Sequence, residues 1–316
     1  MLFTDRKEEK NMEHFCHGTN GGWKKLPENP LLGGELGTCF DIAMLQENDE
    51  ILLYFSWRDK ASIALCKSRD GIHWDEPQYC IRPRSARDGR EDDLNRPSVV
   101  KTGSIYHMWY TGQFKPGQAD GTSDIFHAVS EDGVHFVRTG DEPVLRAELP
   151  WEKQAVMCPS VVWDEVQKRF RMWYSGGEQY EPTAIGYAES EDGLVWHKSP
   201  LNPIFQADPA SEWEQHKAAG CQVLYHDGWY WMFYIGYHNE DYAQVGVARS
   251  KDGITGWERS SLNPIIAPDE NAWDGDACYK PFVLNRGDHW MLWYNGRRAH
   301  KEQIGGAVLM SPELTF

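Results

Sequence analysis

The stretch CPSVVWDEVQKRFRMWYSGGEQYEPTAIGYAESEDGLVWHKSPLNPIF, residues 158–205, is built from short apolar and aromatic runs separated by turn residues. Three of these runs are bounded by Asp, Gly and Pro, a pattern typical of β-strands: 159–163, 170–174 and 184–188. An Asp-Gly pair then predicts a hairpin turn, after which a fourth run opens. The stretch therefore predicts a unit of four short strands.

The same unit recurs along the chain. Further copies occupy 41–75, 97–138, 221–259 and 281–310. The aromatic residues that follow the Asp-Gly turns are 62, 60 and 61 residues apart: Trp74, Phe136, Trp196 and Trp257. A fixed period of this length predicts an array of identical supersecondary units, each packed against its neighbours.

The fifth copy stops before its fourth strand, and the missing piece lies at the other end of the chain. Residues 22–32 (GWKKLPENPLL) match residues 195–205 (VWHKSPLNPIF). We therefore expect an all-β, five-bladed β-propeller whose last blade is closed by an N-terminal strand within residues 22–32. The alternative, an open solenoid, would need capping repeats rather than a divided one.

Composition sets the broad class. The 316 residues are 41% hydrophobic and 13% aromatic, with a formal net charge of −16. We expect a polar N-terminal extension at 1–20 and a single propeller domain at 21–316. The negative charge argues against nucleic acid and anionic membranes as partners. The polar start and seven cysteines without paired spacing predict a cytoplasmic protein with reduced thiols.

The loops between the second and third strands of the units are rich in charged and aromatic residues, whereas the turns between the first and second strands are short. In a propeller these longer loops open on one face, so we expect them to surround a single mouth. The loops are Trp57 to Lys60, Gln113 to Asp124, Gly176 to Glu181, Tyr237 to Tyr242 and Arg297 to Glu302.

Departures from the repeat are the best site candidates. Asp41 begins the first inner strand at the position where the other units have Arg96, Cys158, Gly220 and Lys280. Such an Asp would face the axis, either capping backbone amides or taking part in chemistry. Arg96 and Lys280 would hold a nearby carboxylate ionised or bind an anionic substrate group. The charged run from Arg87 to Arg96 and the acid Glu178 also have no counterparts in the other units.

A second set of acids recurs and is therefore expected to be architectural. Glu152, Glu214 and Asp274 each follow a Trp and precede an inner strand by the same offset. Glu214 still counts as a candidate because His216 and Lys217 follow it and no other unit has them.

Units of the form PSVV, MWYSG and YAESEDGLVW, with Asp41 on the axis, resemble the glycoside hydrolases that adopt a five-bladed propeller. This group includes β-fructosidases, arabinanases, xylosidases and mannoside phosphorylases. The resemblance implies cleavage of a small glycoside or oligosaccharide by paired carboxylates in an axial pocket. Asp41 matches the group's first acid, whereas Asn95-Arg96-Pro97 and Met157-Cys158-Pro159 stand where two further acids are usual.

The resulting assignment has Asp41 as base or nucleophile, Asp93 as its partner or as an acceptor from a substrate hydroxyl, and Glu178 or Glu214 as the acid. Ten residues are expected to bind substrate: Trp57, Arg58, Arg96, Tyr180, His216, Lys217, His238, Asp276, Lys280 and Arg297. No cofactor or metal is expected, since no ligand spacing supports one.

Two other functions stay open at this point. The displaced acids favour a non-hydrolytic propeller that binds a carbohydrate or sugar phosphate, or a phosphorolytic relative. A protein scaffold accounts less well for acidic and aromatic loops on one face. The sugar, the linkage, the stereochemical outcome and the oligomeric state are not indicated.

Overall fold

The structure, a computed structural model, describes residues 18–84, 89–115, 122–178 and 181–316. Its strands form five antiparallel blades, which confirms the predicted propeller. In chain order, β1 is Trp23–Lys25; blade 1 follows with β2 (Cys39–Glu47), β3 (Glu50–Trp57), β4 (Ser62–Ser68) and β5 (Gln78–Ile81). Blade 2 contains β6 (Asp93–Thr102), β7 (Ile105–Gln113), β8 (Ser123–Ser130) and β9 (Val137–Arg138).

The later blades follow the same order. Blade 3 contains β10 (Ala155–Asp164), β11 (Arg169–Glu178), β12 (Glu181–Ser190), β13 (His197–Lys198) and β14 (Phe205–Gln206). Blade 4 contains β15 (Lys217–His226), β16 (Trp229–Tyr237), β17 (Ala243–Ser250) and β18 (Glu258–Arg259). Blade 5 contains β19 (Ala277–Asn285), β20 (Trp290–Arg298) and β21 (Lys301–Leu309). Short 3-10 turns lie at Gly34–Leu36, Arg58–Lys60, Pro150–Glu152 and Glu212–Glu214.

The N-terminal strand closes the ring as the sequence predicts. β1 pairs antiparallel with β21, with Trp23 opposite Leu309 and Lys25 opposite Ala307. Farther along, the amides of Leu31 and Leu32 donate to the carbonyl of Ile304. The outer edge of blade 5 is therefore covered rather than left as an unpaired strand. Residues 18–20, predicted as part of the extension, instead hydrogen-bond to blade 4 near Ile266.

The repeated Asp-Gly turns tie each blade to the one before it. The Trp293 indole donates to the carbonyl of Gly71 at 2.9 Å, and Trp173 donates likewise to Gly253 at 2.7 Å. A Cβ at Gly71 would lie 2.6 Å from the Trp293 ring. The turn glycine therefore both adopts positive φ and makes room for the neighbouring indole.

Each inner strand contains a β-bulge at the same position. The five bulge residues have φ between 48° and 57°, in the left-handed region: Asp41, Arg96, Cys158, Gly220 and Lys280. Bulges re-aim side chains, and non-glycine residues in this region occur where the surrounding structure enforces it. Asp41 and its counterparts in the other four blades thus occupy one ring of equivalent positions around the axis.

Side chains from the preceding blade hold four of these bulges. Ser56, Thr111, Ser175 and Asn295 accept from the backbone amides of the next bulge residue at 2.9 to 3.2 Å. The Asn295 bond runs from blade 5 to blade 1, so it belongs to the ring closure. None of the helices in the described ranges has the length and apolar content needed to cross a membrane.

Candidate active site

An axial cavity of about 360 Å³ opens at the bulge end of the inner strands. Charged side chains in its wall comprise four acids and four bases: Asp41, Glu240, Asp241, Glu302, Arg58, Arg96, Lys280 and Arg297. A second hollow of about 500 Å³ lies at the other end of the inner strands, but its wall is mainly apolar and includes no carboxylate. The charged cavity is therefore the candidate active site.

Asp41 lies at the centre of the polar contacts in this cavity. Its Oδ1 accepts from Asn295 Nδ2 at 3.0 Å, and its Oδ2 is 3.3 Å from Arg96 Nε. The residue is 4% exposed. Burial raises the pKa of the Asp41 carboxyl above its ordinary range, although Arg96 and Lys280 lower it in part. Burial has a larger influence on the pKa of Asp41 than either base has.

Arg96 is itself held by a neighbour in blade 2. Gln113 Oε1 accepts from Arg96 Nη1 at 3.0 Å, and Gln113 Nε2 donates to Asp93 Oδ2 at 3.0 Å. Gln113 and Arg96 line the cavity, whereas Asp93 is buried behind Gln113. Asp93 is thus separated from the cavity, and its expected contact with substrate is corrected.

Glu302 forms the second carboxylate centre of the cavity. It accepts from Arg58 Nη2 at 2.7 Å and from the hydroxyl of Tyr279. The cavity therefore holds two hydrogen-bonded carboxyl groups, those of Asp41 and Glu302.

Glu214 belongs to an architectural set, not to the cavity. It is 0% exposed, and it is bound by the Tyr234 hydroxyl and by Arg259 Nε at 2.8 Å. Three other blades repeat this arrangement of acid, tyrosine and outer-strand base: Glu91 with Tyr110 and Arg138, Glu152 with Tyr174 and Lys198, and Asp274 with Tyr294 and Lys25. Burial raises the pKa of Glu214, but the side chain does not line the cavity. Its expected role as the acid is corrected.

Glu178, the other expected acid, is exposed and pairs with Lys153 at 2.9 Å. Lys153 lowers the pKa of Glu178, first by its hydrogen bond and then by its charge, which disfavours the protonated form. The side chain does not line the cavity. Its expected role as the acid is therefore corrected too.

The predicted binding residues divide into two groups. Arg58, Arg96, Lys280 and Arg297 line the cavity. Five others do not line it: Trp57, His216, Lys217, His238 and Asp276. Trp57 stacks on Tyr79 and donates to the carbonyl of Leu36, so neighbouring residues hold its ring in place. Tyr180 lies outside the described residues, as do Arg87 and Asp88 of the charged run.

The reasons for the other absences are local. The ammonium of Lys217 lies over the Tyr237 ring, 4.7 Å from its centroid. His238 contacts the carbonyl of Glu212 through Nδ1 at 2.9 Å, and Asp276 accepts from the amide of Ala299 at 2.7 Å. His216 is exposed. None of these four residues lines the cavity, so their expected contacts with substrate are corrected.

Sequence reasoning missed Gln113, Tyr279, Asn295 and Glu302. Gln113 and Glu302 were noted only as the ends of two mouth loops. Asn295 stands where the other second strands have Ser56, Thr111, Ser175 and Ile235, which is a departure that the repeat could have flagged. Across the described residues, no group of three or more His, Cys, Asp and Glu side chains is arranged to hold a metal ion.

The chain is a closed five-bladed propeller whose axial cavity holds a buried acid and several bases. A sequence model of glycosyl hydrolases family 43 matches residues 28–312. The chain belongs to this family.

Curated relatives match most of the length of the chain, and solved structures share its fold. A 1,2-beta-oligomannan phosphorylase of Thermoanaerobacter sp. (strain X514) is 23% identical over 93% of this chain and 99% of its own length. An uncharacterized protein of Mycobacterium tuberculosis (strain ATCC 25618 / H37Rv) is 28% identical over 91% of this chain and 99% of its own.

Similar folds appear in a family-43 glycoside hydrolase described as thermostable (17% identity, TM-score 0.68, 89% and 91% covered) and in a GH130 structure. The latter is described with mannoside phosphorylases and hydrolases that target beta-1,2 mannosidic linkages (15% identity, TM-score 0.74, 96% and 98% covered).

Proposed function

We propose that this chain cleaves the glycosidic bond of a small glycoside in its axial cavity, with Asp41 donating a proton to the leaving oxygen. The observation that carries the proposal is the position of Asp41. It is the one acid among the five equivalent bulge residues, and burial raises its pKa. A carboxyl whose pKa is raised by burial suits general-acid catalysis at a glycosidic oxygen.

The acceptor we propose is inorganic phosphate. Once Asp41 is protonated, Arg96 keeps its charge without an ionised carboxylate within 4.0 Å among the described residues. Lys280, one blade away on the other side of Asp41, contacts the carbonyl of Cys221 at 3.5 Å. Two buried cations beside a neutral acid form a site that favours an anion. Relatives named as phosphorylases support the same acceptor.

In this reaction the bond between the anomeric carbon and the leaving oxygen breaks while a phosphate oxygen bonds to that carbon. The Asp41 proton passes to the leaving oxygen, which departs as an alcohol. Hydrogen phosphate delivers its own proton to Asp41, so the products are a sugar 1-phosphate and the free alcohol. Phosphate is already an anion, so no second carboxylate is needed to activate it.

The test is an assay on a panel of disaccharides and aryl glycosides, beginning with beta-1,2 mannosides, with and without phosphate. We expect turnover that needs phosphate and yields a sugar 1-phosphate. Asp41→Asn should slow this turnover strongly on the disaccharides and retain substrate binding. Absence of turnover across the panel, with sugar binding retained, would instead identify a carbohydrate-binding propeller and overturn the proposal.

Hydrolysis is the second candidate, and the environment of Glu302 favours it. Arg58 and Tyr279 hold the Glu302 carboxyl in the cavity wall, where it would activate water as a general base. Free sugar released in phosphate-free buffer, and lost in Glu302→Gln, would support hydrolysis over phosphorolysis.

A further inference from the structure

We infer that Gln113 and Asp93 are positioning residues: Asp93 orients the Gln113 amide, and Gln113 holds the Arg96 guanidinium against the Asp41 carboxylate. The inference rests on the proposed role of Asp41. It gives Asp93 a function that does not require contact with substrate.

The contacts form one continuous path from blade 2 to the acid. Asp93 Oδ2 accepts from Gln113 Nε2 at 3.0 Å, and Gln113 Oε1 accepts from Arg96 Nη1 at 3.0 Å. Arg96 Nε then lies 3.3 Å from Asp41 Oδ2. All four residues are buried or half-buried.

The chemistry of these groups fixes the direction of the Gln113 amide. A carboxylate oxygen accepts hydrogen bonds, and the amino end of Gln113 accordingly faces Asp93 Oδ2. The carbonyl end then faces Arg96, which only donates. A reversed amide would set donor against donor at Arg96 and acceptor against acceptor at Asp93. Asp93 therefore determines that Gln113 presents an acceptor to Arg96.

The repeat supplies an internal control. Asp93 and Gln113 are directly opposite each other on β6 and β7, and the equivalent pairs elsewhere contain neither residue. Those pairs are Ala155 with Gly177, Lys217 with Tyr237, and Ala277 with Arg297, while Thr38 and Arg58 are the corresponding residues of blade 1. The Asp–Gln pair occurs in the blade whose bulge residue is Arg96. An architectural pair would be expected to recur.

Arg96 needs such an anchor because its backbone fixes only the base of a long side chain. Its φ is 57°, and its amide donates to Ser56 Oγ at 2.9 Å. The Gln113 bond leaves the guanidinium Nε directed at Asp41. Without it, the guanidinium would gain rotamers, and the time-averaged charge next to Asp41 would fall. The pKa of Asp41 would then rise further.

The experiment follows the Asp41 carboxyl directly by 13C NMR of protein labelled at aspartate carboxyl carbons, with the resonance assigned by Asp41→Asn. Titrations compare wild type with Gln113→Met, Asp93→Leu and Asp93→Asn. Asn at 93 still accepts from Gln113 but lacks the charge, so the two Asp93 variants separate hydrogen bonding from electrostatics. Thr111→Val is the matched control, since Thr111 lies on the same strand and binds Cys158 instead of Arg96.

We expect the Asp41 midpoint to move up by about one pH unit in Gln113→Met and Asp93→Leu. It should move much less in Asp93→Asn and stay unchanged in Thr111→Val. For an active enzyme, the basic limb of the kcat/KM profile should move in parallel. An unchanged midpoint in Gln113→Met, or equal midpoints in the two Asp93 variants, would overturn the inference. The NMR titration does not require turnover. An inactive protein would therefore refute the proposed function, and the Asp41 midpoints would still test this inference.

Discussion

Asn295 hydrogen-bonds to Asp41 through both ends of its side-chain amide. Its Oδ1 accepts from the Asp41 backbone amide, and its Nδ2 donates to the Asp41 carboxylate, each at 3.0 Å. Asn295 lies in the last blade and Asp41 in the first, 254 residues apart in sequence. The same side chain therefore closes the ring and fixes the acid, so the shape of the site depends on closure of the propeller.

Asn295→Leu should cost both stability and activity, because it removes two buried hydrogen bonds and leaves polar groups of Asp41 unpaired. We expect the free energy of unfolding to fall by about 1–3 kcal/mol and kcat/KM to drop. Ser175→Ala is the control, since Ser175 accepts the equivalent hydrogen bond from the Gly220 amide at 2.9 Å. This bond does not involve Asp41. Ser175→Ala should lower stability and spare turnover. Equal activity losses in both variants would contradict a specific role for Asn295.

Asp41→Asn should stabilise the protein at neutral pH. The folded-state pKa of Asp41 is raised, so its stabilising contribution is full below the unfolded value and is lost as pH rises through the folded value. Asn is neutral at every pH and tolerates the left-handed backbone of this position. Thermal unfolding should show a higher Tm than wild type at pH 8 and a smaller difference near pH 4. A lower Tm at pH 8 would show that Asp41 is ionised and stabilising.

Glu214→Gln should destabilise the fold without removing activity. The Glu214 carboxylate binds Tyr234 and Arg259 outside the cavity, and an amide would leave the half-buried Arg259 charge poorly compensated. Denaturant unfolding should show a loss similar to that of Glu152→Gln, which alters the same arrangement in blade 3. Loss of kcat with unchanged stability would restore Glu214 as a catalytic candidate.

His127 should make the protein sensitive to acid. Its ring contacts Thr139 Oγ1 at 3.0 Å and the ring of His107 at 3.2 Å, between blades 2 and 3. Burial, with a contribution from His107, lowers the pKa of His127 to about 3, against an ordinary 6.5. The folded state resists protonation, so stability should fall as pH drops below about 6.5. His127→Gln should flatten this dependence, whereas the exposed His197→Gln should not. An unaltered slope in the first variant would refute the assignment.

The fold was predictable because each blade repeats the same contacts. The Asp-Gly turns recur since every turn must receive a neighbour's aromatic ring, and the residues 22–32 match because one strand of the last blade comes from the N-terminus. Asp41 was predictable as a departure from that repeat. The residues that recur from blade to blade are thus those that packing between blades requires, and Asp41, an exception to the repeat, lies on the axis.

The partners within the site were harder to predict. Glu302 is one charged residue in a hairpin of several, and its inward direction depends on Arg58 and Tyr279 from distant segments. Glu214 was misassigned because the fourth member of its set, Glu91, follows Arg90 and not Trp, and because its base, Arg259, lies 45 residues downstream. These contacts join residues that are distant in the sequence, so local sequence patterns do not predict them.

Leaving-group dependence in Asp41→Asn tests the central claim most directly. A general acid matters for glycosides whose leaving alcohol needs a proton and matters little for a dinitrophenolate, which departs unprotonated. We predict that Asp41→Asn slows cleavage of the unactivated glycoside by about 10²–10⁴-fold and leaves cleavage of the matching dinitrophenyl glycoside near the wild-type rate. Equal slowing of both substrates, or of neither, would contradict proton donation by Asp41.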